Sequence, residues 1–443
     1  MIIYNLFPLL VGKLCDWESH VERAAAMGFD WILVNPIQKL GRSGSLYSIA
    51  DYFQINPRFV DLDSPLSPED QARAAVRAAN RHGLRVMVDL VVNHCATDSE
   101  ITRMHPEWFG RGPNDTIAHP FCMENGEVVV WRDLARFDHE RMSDPSGFYR
   151  FVYSIAEYLI QLGFEGFRCD AAYQIPSQFW RRLTSEVKSH YPNTVFVAET
   201  LGCTPTQTTQ TAQAGFDYVL NSSKWWNFQS AWLLAQYQLT REVTSSISFP
   251  EDHDTDRLFQ EMNGNIDGLK QRCLFASFFS SGSLIPIGFE FGFRKRLHVA
   301  QTRPEDWETA NVDLRAFITQ INTVKARYRL FNEECPTSIL SHDNPNVLVL
   351  WKGSVKAKEE GLIILNKDVW NYQRFQVDSL NALMKSGAPL RDVSPEYALD
   401  YISTERFSYD LRPGQGMVLI SSPSDADGSQ VLLDNSRKRP DLQ

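Results

Sequence analysis

The chain of 443 residues has no Cys-x-x-Cys pair, no Gly-rich phosphate loop, no excess of basic charge and no long unbroken apolar run. Each absence removes a class of protein. Without paired cysteines, the seven that occur are scattered and odd in number, which predicts reduced thiols and a cytoplasmic setting. Without a P-loop or a dinucleotide fingerprint, nucleotide chemistry has no visible anchor. A formal net charge of −10 and a pI near 5.5 argue against a nucleic-acid partner, which calls for a basic face. No stretch approaches the roughly 20 apolar residues of a membrane span, so no membrane partner is expected. The first residues, Met1 to Phe7, read as a strand without a basic leader or a small-residue cleavage site.

What is present is an ordinary globular composition, 43% hydrophobic and 22% charged, in a chain long enough for one large domain plus a smaller one. Aromatics reach 12% with 11 Trp, most of them assigned to core packing.

Four short apolar runs end in acids or imidazoles. They are Arg85 to Asp89 with Asn93-His94, Gly166 through Arg168 to Asp170, Thr194 to Glu199, and Ser246 through Asp252 to His253-Asp254. A buried strand that ends in such residues aims them at a common place. In parallel α/β barrels that place is the carboxyl-terminal rim. Within the second run, alternation puts Arg168 and Asp170 on one face and turns Cys169 away as a small packed residue. Four such runs predict one composite site holding at least three carboxylates.

Strand-like runs alternate with helical patterns to about residue 330. The strands are read at Ile2–Leu6, Trp31–Pro36, Arg85–Val92, Phe164–Asp170, Val195–Glu199, Gly215–Asn221, Ser246–Asp254 and Leu284–Gly288. This is the count of a (β/α)8 barrel, fold class α/β. A polar stretch over 95–144 is too long for a βα loop and reads as an inserted subdomain. The barrel is therefore expected over 1–335. A small antiparallel β-sandwich without long helices is expected over 336–422, and a polar flexible tail over 423–443.

The four motifs, in this order and spacing, resemble those of the α-amylase superfamily, glycoside hydrolase family 13. Gly44-Ser-Leu-Tyr47 through Asp51-Tyr52 after strand two, and Gly288-Phe-Glu290-Phe-Gly292 after strand eight, extend the likeness across nearly residues 2–422. His105-Pro-Glu-Trp-Phe109 and Asp115-Thr-Ile are similar to the maltosyltransferase branch, which builds glucan from maltose 1-phosphate. The resemblance implies a retaining glycosidase with Asp170 as nucleophile, Glu199 as general acid and base, and Asp254 as the third carboxylate. It also implies that Arg168 keeps Asp170 ionised, that His94 and His253 bond sugar hydroxyls, and that Tyr47 stacks on the ring at the cleavage point. Of Trp225-Trp226, Trp225 is the candidate for stacking on a neighbouring glucose; a core pair is the competing reading.

Three positions depart from the family. Asp252 stands where Asn is usual, either adding charge or bonding backbone. Tyr173-Gln174 replaces the usual Lys-His pair on the acceptor side. Asn93 matches a calcium ligand and Asp133 is a candidate second one, but no metal or other cofactor is predicted. The Arg294-Lys295-Arg296 run reads as solvated surface charge. The expected activity is cleavage or transfer of α-1,4-glucosidic bonds in malto-oligosaccharides or glycogen. A 4-α-glucanotransferase or maltosyltransferase would use the same residues, and a non-catalytic glucan-binding protein ranks below both. Oligomeric state is not legible.

Overall fold

The computed structural model describes residues 1–124, 127–385 and 389–423. The expected tail lies, from residue 424 on, outside the described residues. The chain divides into two compact units, one of Met1–Arg327 with Phe331–Glu334 and one of Tyr328–Leu330 with the chain from Cys335 onward.

In the first unit eight parallel strands close on themselves in sequence order. They are β1 (Ile2–Leu6), β2 (Trp31–Val34), β3 (Arg85–Leu90), β4 (Gly166–Cys169), β5 (Val195–Ala198), β6 (Tyr218–Leu220), β7 (Ser245–Ser248) and β8 (Gly282–Pro286), with β8 pairing back onto β1. Nearly every residue in them is buried, the pattern of strands covered on both faces. The covering helices are α1 (Trp17–Ala26), α2 (Pro68–Arg81), α3 (Pro145–Gln161), α4 (Ser177–His190), α5 (Pro205–Ala212), α6 (Trp232–Thr240), α7 (Ile266–Phe279) and α8 (Arg315–Arg327). Their starts are chemically marked. Ser67 accepts the Asp70 N–H at 3.1 Å with Pro68 in the first turn of α2, and Asp144 accepts the Gly147 N–H at 2.8 Å at the head of α3. Helix α7 shows no polar face over its carboxyl-terminal half, so no amphipathic stripe announces it in the sequence.

The barrel interior is filled by inward-facing side chains, among them Ile3, Trp31, Leu33, Met87, Val197, Leu220, Ile247 and Leu284. Gly166 makes room for this layer, since a Cβ there would lie 3.2 Å from the Trp31 ring and 3.3 Å from Met87. Two residues further along the strands, on the same inward face, the side chains turn polar: Asn5, Asn35, Asp89 and Arg168, all buried. The interior thus passes from apolar to ionic toward the carboxyl-terminal end.

Two excursions leave that end. After β2 an irregular hairpin of Gln38–Leu40 with Ile49–Ile55 presents Tyr47 just before its second strand, an element the sequence reading did not anticipate. After β3, His94–Ala96 pairs antiparallel with Leu134–Arg136, so the long insertion leaves and returns side by side. Within it Phe121–Glu124 and Glu127–Val130 form a second hairpin.

The second unit is antiparallel. Its strands are β9 (Thr337–Leu340), β10 (Val347–Ser354), β11 (Glu359–Asn366), β12 (Gln373–Ser379), β13 (Leu390–Asp392), β14 (Glu405–Leu411) and β15 (Gly416–Ser421). A five-stranded sheet runs β9-β10-β11-β15-β13, and β12 pairs with β14 as a separate ribbon. Val349, Trp351, Ile364 and Leu419 from the sheet share one core with Phe375, Phe407 and Leu411 from the ribbon. The architecture is the expected (β/α)8 barrel followed by an antiparallel β-unit.

At the end of β8, Gly288 has φ +90°, and a Cβ there would fall 2.3 Å from the Phe293 ring. Gly288→Ala combines a left-handed backbone penalty with a clash. It is expected to destabilise the barrel by about 2–4 kcal/mol in urea unfolding. An unchanged midpoint would show that Phe293 moves aside freely.

Candidate active site

Arg168 is the hub of the carboxyl-terminal rim. On β4 it sits beside Asp89 of β3 in strict register. Its Nη1 donates to Asp89 Oδ1 at 2.7 Å and to Asp170 Oδ1 at 2.8 Å, and its Nη2 lies 3.9 Å from Glu199 Oε2. The guanidinium and Asp89 are fully buried, while Asp170 and Glu199 each keep a small part of their carboxylates open. Register also sets the last pair, because Cys169 lies opposite Ala198 and the next residues are Asp170 and Glu199. Neighbouring parallel strands are about 4.8 Å apart, so the two carboxylates stand side by side.

The backbone turns sharply after Asp170. Ala171 adopts a left-handed conformation, φ +44°, unusual for a residue with a Cβ. That turn aims the Ala171 N–H at Glu199 Oε2 at 2.7 Å, while Leu201 N–H holds Oε1 at 2.9 Å. Burial raises the Glu199 carboxyl to about 7, with the Arg168 charge opposing and the Asp170 charge adding to the rise. Glu199 is therefore a carboxyl that holds or releases a proton near neutrality, next to one fixed by a guanidinium.

His253 and Asp254 enter from the loop after β7. Desolvation alone would lower the imidazole, but the Asp254 carboxylate 3.1 Å from Nε2 prevails and lifts it to about 9. Desolvation pushes Asp254 upward, and the charge and hydrogen bond of His253 overcome it, bringing Asp254 down to about 2. The side chain of Asp254 is 53% exposed, an anion standing at the open mouth. His253 is cationic in this setting, so its Nε2–H donates toward Asp254 and toward the Tyr47 oxygen at 2.7 Å. The Tyr47 hydroxyl in turn donates to Asp89 Oδ2 at 2.9 Å and accepts from Asn35 Nδ2 at 2.9 Å. The Tyr47 ring lies parallel to His253, centroids 5.7 Å apart.

His94 shares the neighbourhood without joining the network. Its backbone carbonyl accepts from the Tyr52 hydroxyl at 2.9 Å, but both ring nitrogens are buried without a partner among the described residues. An unmatched buried imidazole is costly unless a ligand supplies the missing bonds. Seven of the eight expected residues thus meet at one rim: Tyr47, His94, Arg168, Asp170, Glu199, His253 and Asp254. The eighth, Trp225, sits on the loop after β6 with 52% of its surface open and its ring edge-on to Phe249 at 6.0 Å. Its neighbour Trp226 is buried against Phe228 and Phe275, so only one of the pair belongs to the core.

The departures resolve locally. Asp252 Oδ1 accepts the backbone N–H groups of Asp254 and Thr255, both at 3.0 Å, so this acid shapes the loop. Asn93 donates its amide to Gln174 at 2.9 Å, and Gln174 donates to the Tyr173 hydroxyl at 3.2 Å. The Asp133 carbonyl accepts from the Thr97 N–H at 3.0 Å. Among the described residues, no three His, Cys, Asp or Glu side chains are grouped to hold a metal. The Arg294-Lys295-Arg296 run is exposed, as expected of surface charge, and one member also ties two loops. Arg296 donates from Nη2 to the Asp254 carbonyl at 2.5 Å, because the loop after β8 folds over the loop after β7.

Sequence reasoning also missed the pair that braces the Asp254 loop. Arg257, fully buried, donates to Glu251 Oε1 at 2.8 Å, to the Ile287 carbonyl at 2.9 Å and to the Lys295 carbonyl at 3.2 Å. Glu251 in turn accepts the Leu258 N–H at 2.5 Å. The signal was present as opposite charges flanking Asp252 to Asp256, but surface charge explains such a pattern equally well until burial is known.

A family profile, the glucanotransferase domain of glycogen debranching enzyme, matches residues 1–110. The chain is 25% identical over 393 residues to an α-1,4-glucan:maltose-1-phosphate maltosyltransferase of Burkholderia pseudomallei, covering 83% of this chain and 33% of that protein. It is 24% identical over 382 residues to a cyclomaltodextrinase of Geobacillus thermopakistaniensis, covering 80% of this chain and 62% of the relative. The chain therefore spans a third to about three-fifths of these two relatives. Among solved structures, an Anoxybacillus α-amylase superposes with TM-score 0.75 at 16% identity over 95% of this chain and 97% of the other. An α-amylase of Geobacillus thermoleovorans complexed with acarbose superposes with TM-score 0.74 at 17% identity, with the same coverage. At these identities the superpositions establish the fold.

Two predictions follow from the geometry. Arg257→Met leaves Glu251 buried and unpaired, and should cost about 3–5 kcal/mol in urea unfolding, largely recovered in the Glu251→Met/Arg257→Met double variant. A neutral single variant would remove the bracing role. For Glu199, the folded state disfavours the ionised form. Its stability penalty is absent below the ordinary carboxyl value of 4.5 and is fully present above about 7. Glu199→Gln should therefore gain about 3 kcal/mol on the wild type between about pH 4 and about pH 8. Parallel pH-stability curves would contradict the raised carboxyl.

Proposed function

We propose that this chain, which belongs to the α-amylase superfamily, glycoside hydrolase family 13, cleaves α-1,4-glucosidic bonds of malto-oligosaccharides or glycogen by double displacement with retention. The single observation that carries the reading is a pair of neighbouring carboxylates in different settings, Asp170 bonded to the Arg168 guanidinium and Glu199 desolvated and raised to about 7. A carboxyl that keeps its proton to near neutrality is suited to the acid role.

Asp170 attacks the anomeric carbon while Glu199 gives its proton to the leaving glycosidic oxygen. The C–O bond breaks and a glycosyl ester forms on Asp170. Glu199, now a carboxylate, takes a proton from the acceptor hydroxyl, whose oxygen bonds to the anomeric carbon and releases Asp170. Asp254, ionised and open to the mouth, accepts hydrogen bonds from sugar hydroxyls and favours the positively charged transition state. His94 supplies its unmatched ring nitrogens, and Trp225 offers a ring face to a neighbouring glucose. No cofactor enters the scheme. Unpaired thiols among the described cysteines support a cytoplasmic address.

A second reading replaces water by a sugar hydroxyl. The maltosyltransferase relative favours it. Asp170→Asn is expected to abolish turnover of maltoheptaose while leaving the unfolding midpoint near that of the wild type; full retained activity would remove the nucleophile assignment. Mass analysis of wild-type products with and without added maltose or maltose 1-phosphate separates the readings. Shorter chains alone mean hydrolysis, longer chains beside shorter ones mean glucan transfer, and growth by two-glucose steps with phosphate release means maltosyl transfer. No change in any mixture would refute the α-glucan assignment.

A further inference from the structure

The second unit exposes four aromatic rings among its described residues, Tyr401 and three more that linked turns and one arginine bring into relation. Trp370 is 68% exposed, Tyr372 60% and Tyr397 51%. Burying such a ring would return about 1.5–3 kcal/mol, so a cluster of them in water calls for an explanation.

These rings stand on a built surface. Asp368 Oδ1 accepts the N–H groups of Trp370 at 2.8 Å and Asn371 at 3.1 Å, and its Oδ2 accepts the Asn371 amide at 3.0 Å. That turn is stitched to the one between β14 and β15. Asn366 donates to the Asn371 and Arg412 carbonyls, both at 2.8 Å, and Gly414 N–H donates to the Asp368 carbonyl at 2.9 Å. Across the junction the Arg412 guanidinium lies over the Tyr397 ring, 4.4 Å from its centroid, and donates to the Tyr372 hydroxyl at 3.4 Å. One exposed cation thus joins two of the rings, and the third belongs to the turn that Asp368 holds, just before Tyr372 in the chain.

The mixture of groups selects the ligand. An apolar protein partner would want a continuous greasy patch. Here the ring faces come with the exposed Arg412 guanidinium and the Tyr372 hydroxyl it bonds. A glucose unit presents a C–H face for stacking and a rim of hydroxyls that pair with such groups. We propose that Trp370, Tyr372, Tyr397 and Arg412 form a second, non-catalytic binding site for an α-glucan chain. Its gain would be a longer hold on polymer, since two linked sites raise the local concentration of substrate. The choice of α-glucan rests on the activity proposed for the barrel.

The test uses the full chain in native gels cast with glycogen, in an Asp170→Asn background so that the polysaccharide survives. Trp370→Ala should weaken retardation about tenfold in apparent affinity, the scale of one lost stacked ring. In the active enzyme the same substitution should leave kcat/KM for maltoheptaose unchanged and lower that for glycogen. A Trp370→Phe variant should recover part of the retardation. Equal retardation of Trp370→Ala and its parent, or no retardation of the parent, would overturn the site, the latter favouring a protein partner for this face. Retardation lost in Trp370→Ala in a protein without turnover on maltoheptaose would uphold the site and refute the proposed activity; turnover without retardation would do the reverse.

Discussion

A single buried cation governs the barrel rim. Arg168 carries a full charge in a place where water cannot reach it, and such a charge is tolerated only when opposite charges and hydrogen bonds surround it. Asp89 supplies the buried partner, Asp170 the second, and Glu199 completes the field from the next strand. The same guanidinium that needs these acids holds them in place. Asp170 is in direct contact with it, whereas Glu199, farther away and desolvated, keeps a proton to about 7. Chemistry and stability meet at one side chain, since the acids around the guanidinium are also the partners it needs.

The closed barrel makes the arrangement rigid. Alternation along β3, β4 and β5 sends every second side chain inward, apolar at the lower layer and ionic above it. The loops then add what strands cannot: Tyr47 from the hairpin after β2, His94 from the start of the insertion, and His253 with Asp254 from the loop after β7. A loop is mobile unless something pins it. Here the Glu251–Arg257 pair, the Asp252 turn and the Arg296 bond to the Asp254 carbonyl hold one loop from three sides. Preorganised charge of this kind does not have to reorganise as a reaction proceeds.

Both units hold aromatic residues buried and open, Trp225 being the open one on the loop after β6. In the barrel unit, Trp31 fills the interior and Trp180 and Trp226 pack in the surrounding layers, fully buried. In the second unit Trp351 joins the core, whereas Trp370, Tyr372 and Tyr397 stay open, positioned by turn hydrogen bonds and by Arg412. Composition cannot tell these uses apart, because an aromatic residue in a polar turn carries no periodic signal.

The sequence by itself determined the eight strands and the order of the four motifs, because a buried parallel strand needs a short apolar run and shows its terminal acids plainly. It also determined that Arg168 and Asp170 share a face, since strand periodicity is fixed by backbone geometry. The hairpin before Tyr47 and helix α7 were not legible, the first for its irregular register and the second for its lack of a polar stripe. Only the tertiary structure decided that Trp225 is exposed while Trp226 is core, that Arg296 meets the Asp254 loop, and that Glu251 and Arg257 are a buried pair rather than surface charge. Each of those depends on what a distant segment places alongside, and burial is a property of that encounter, which no local pattern encodes.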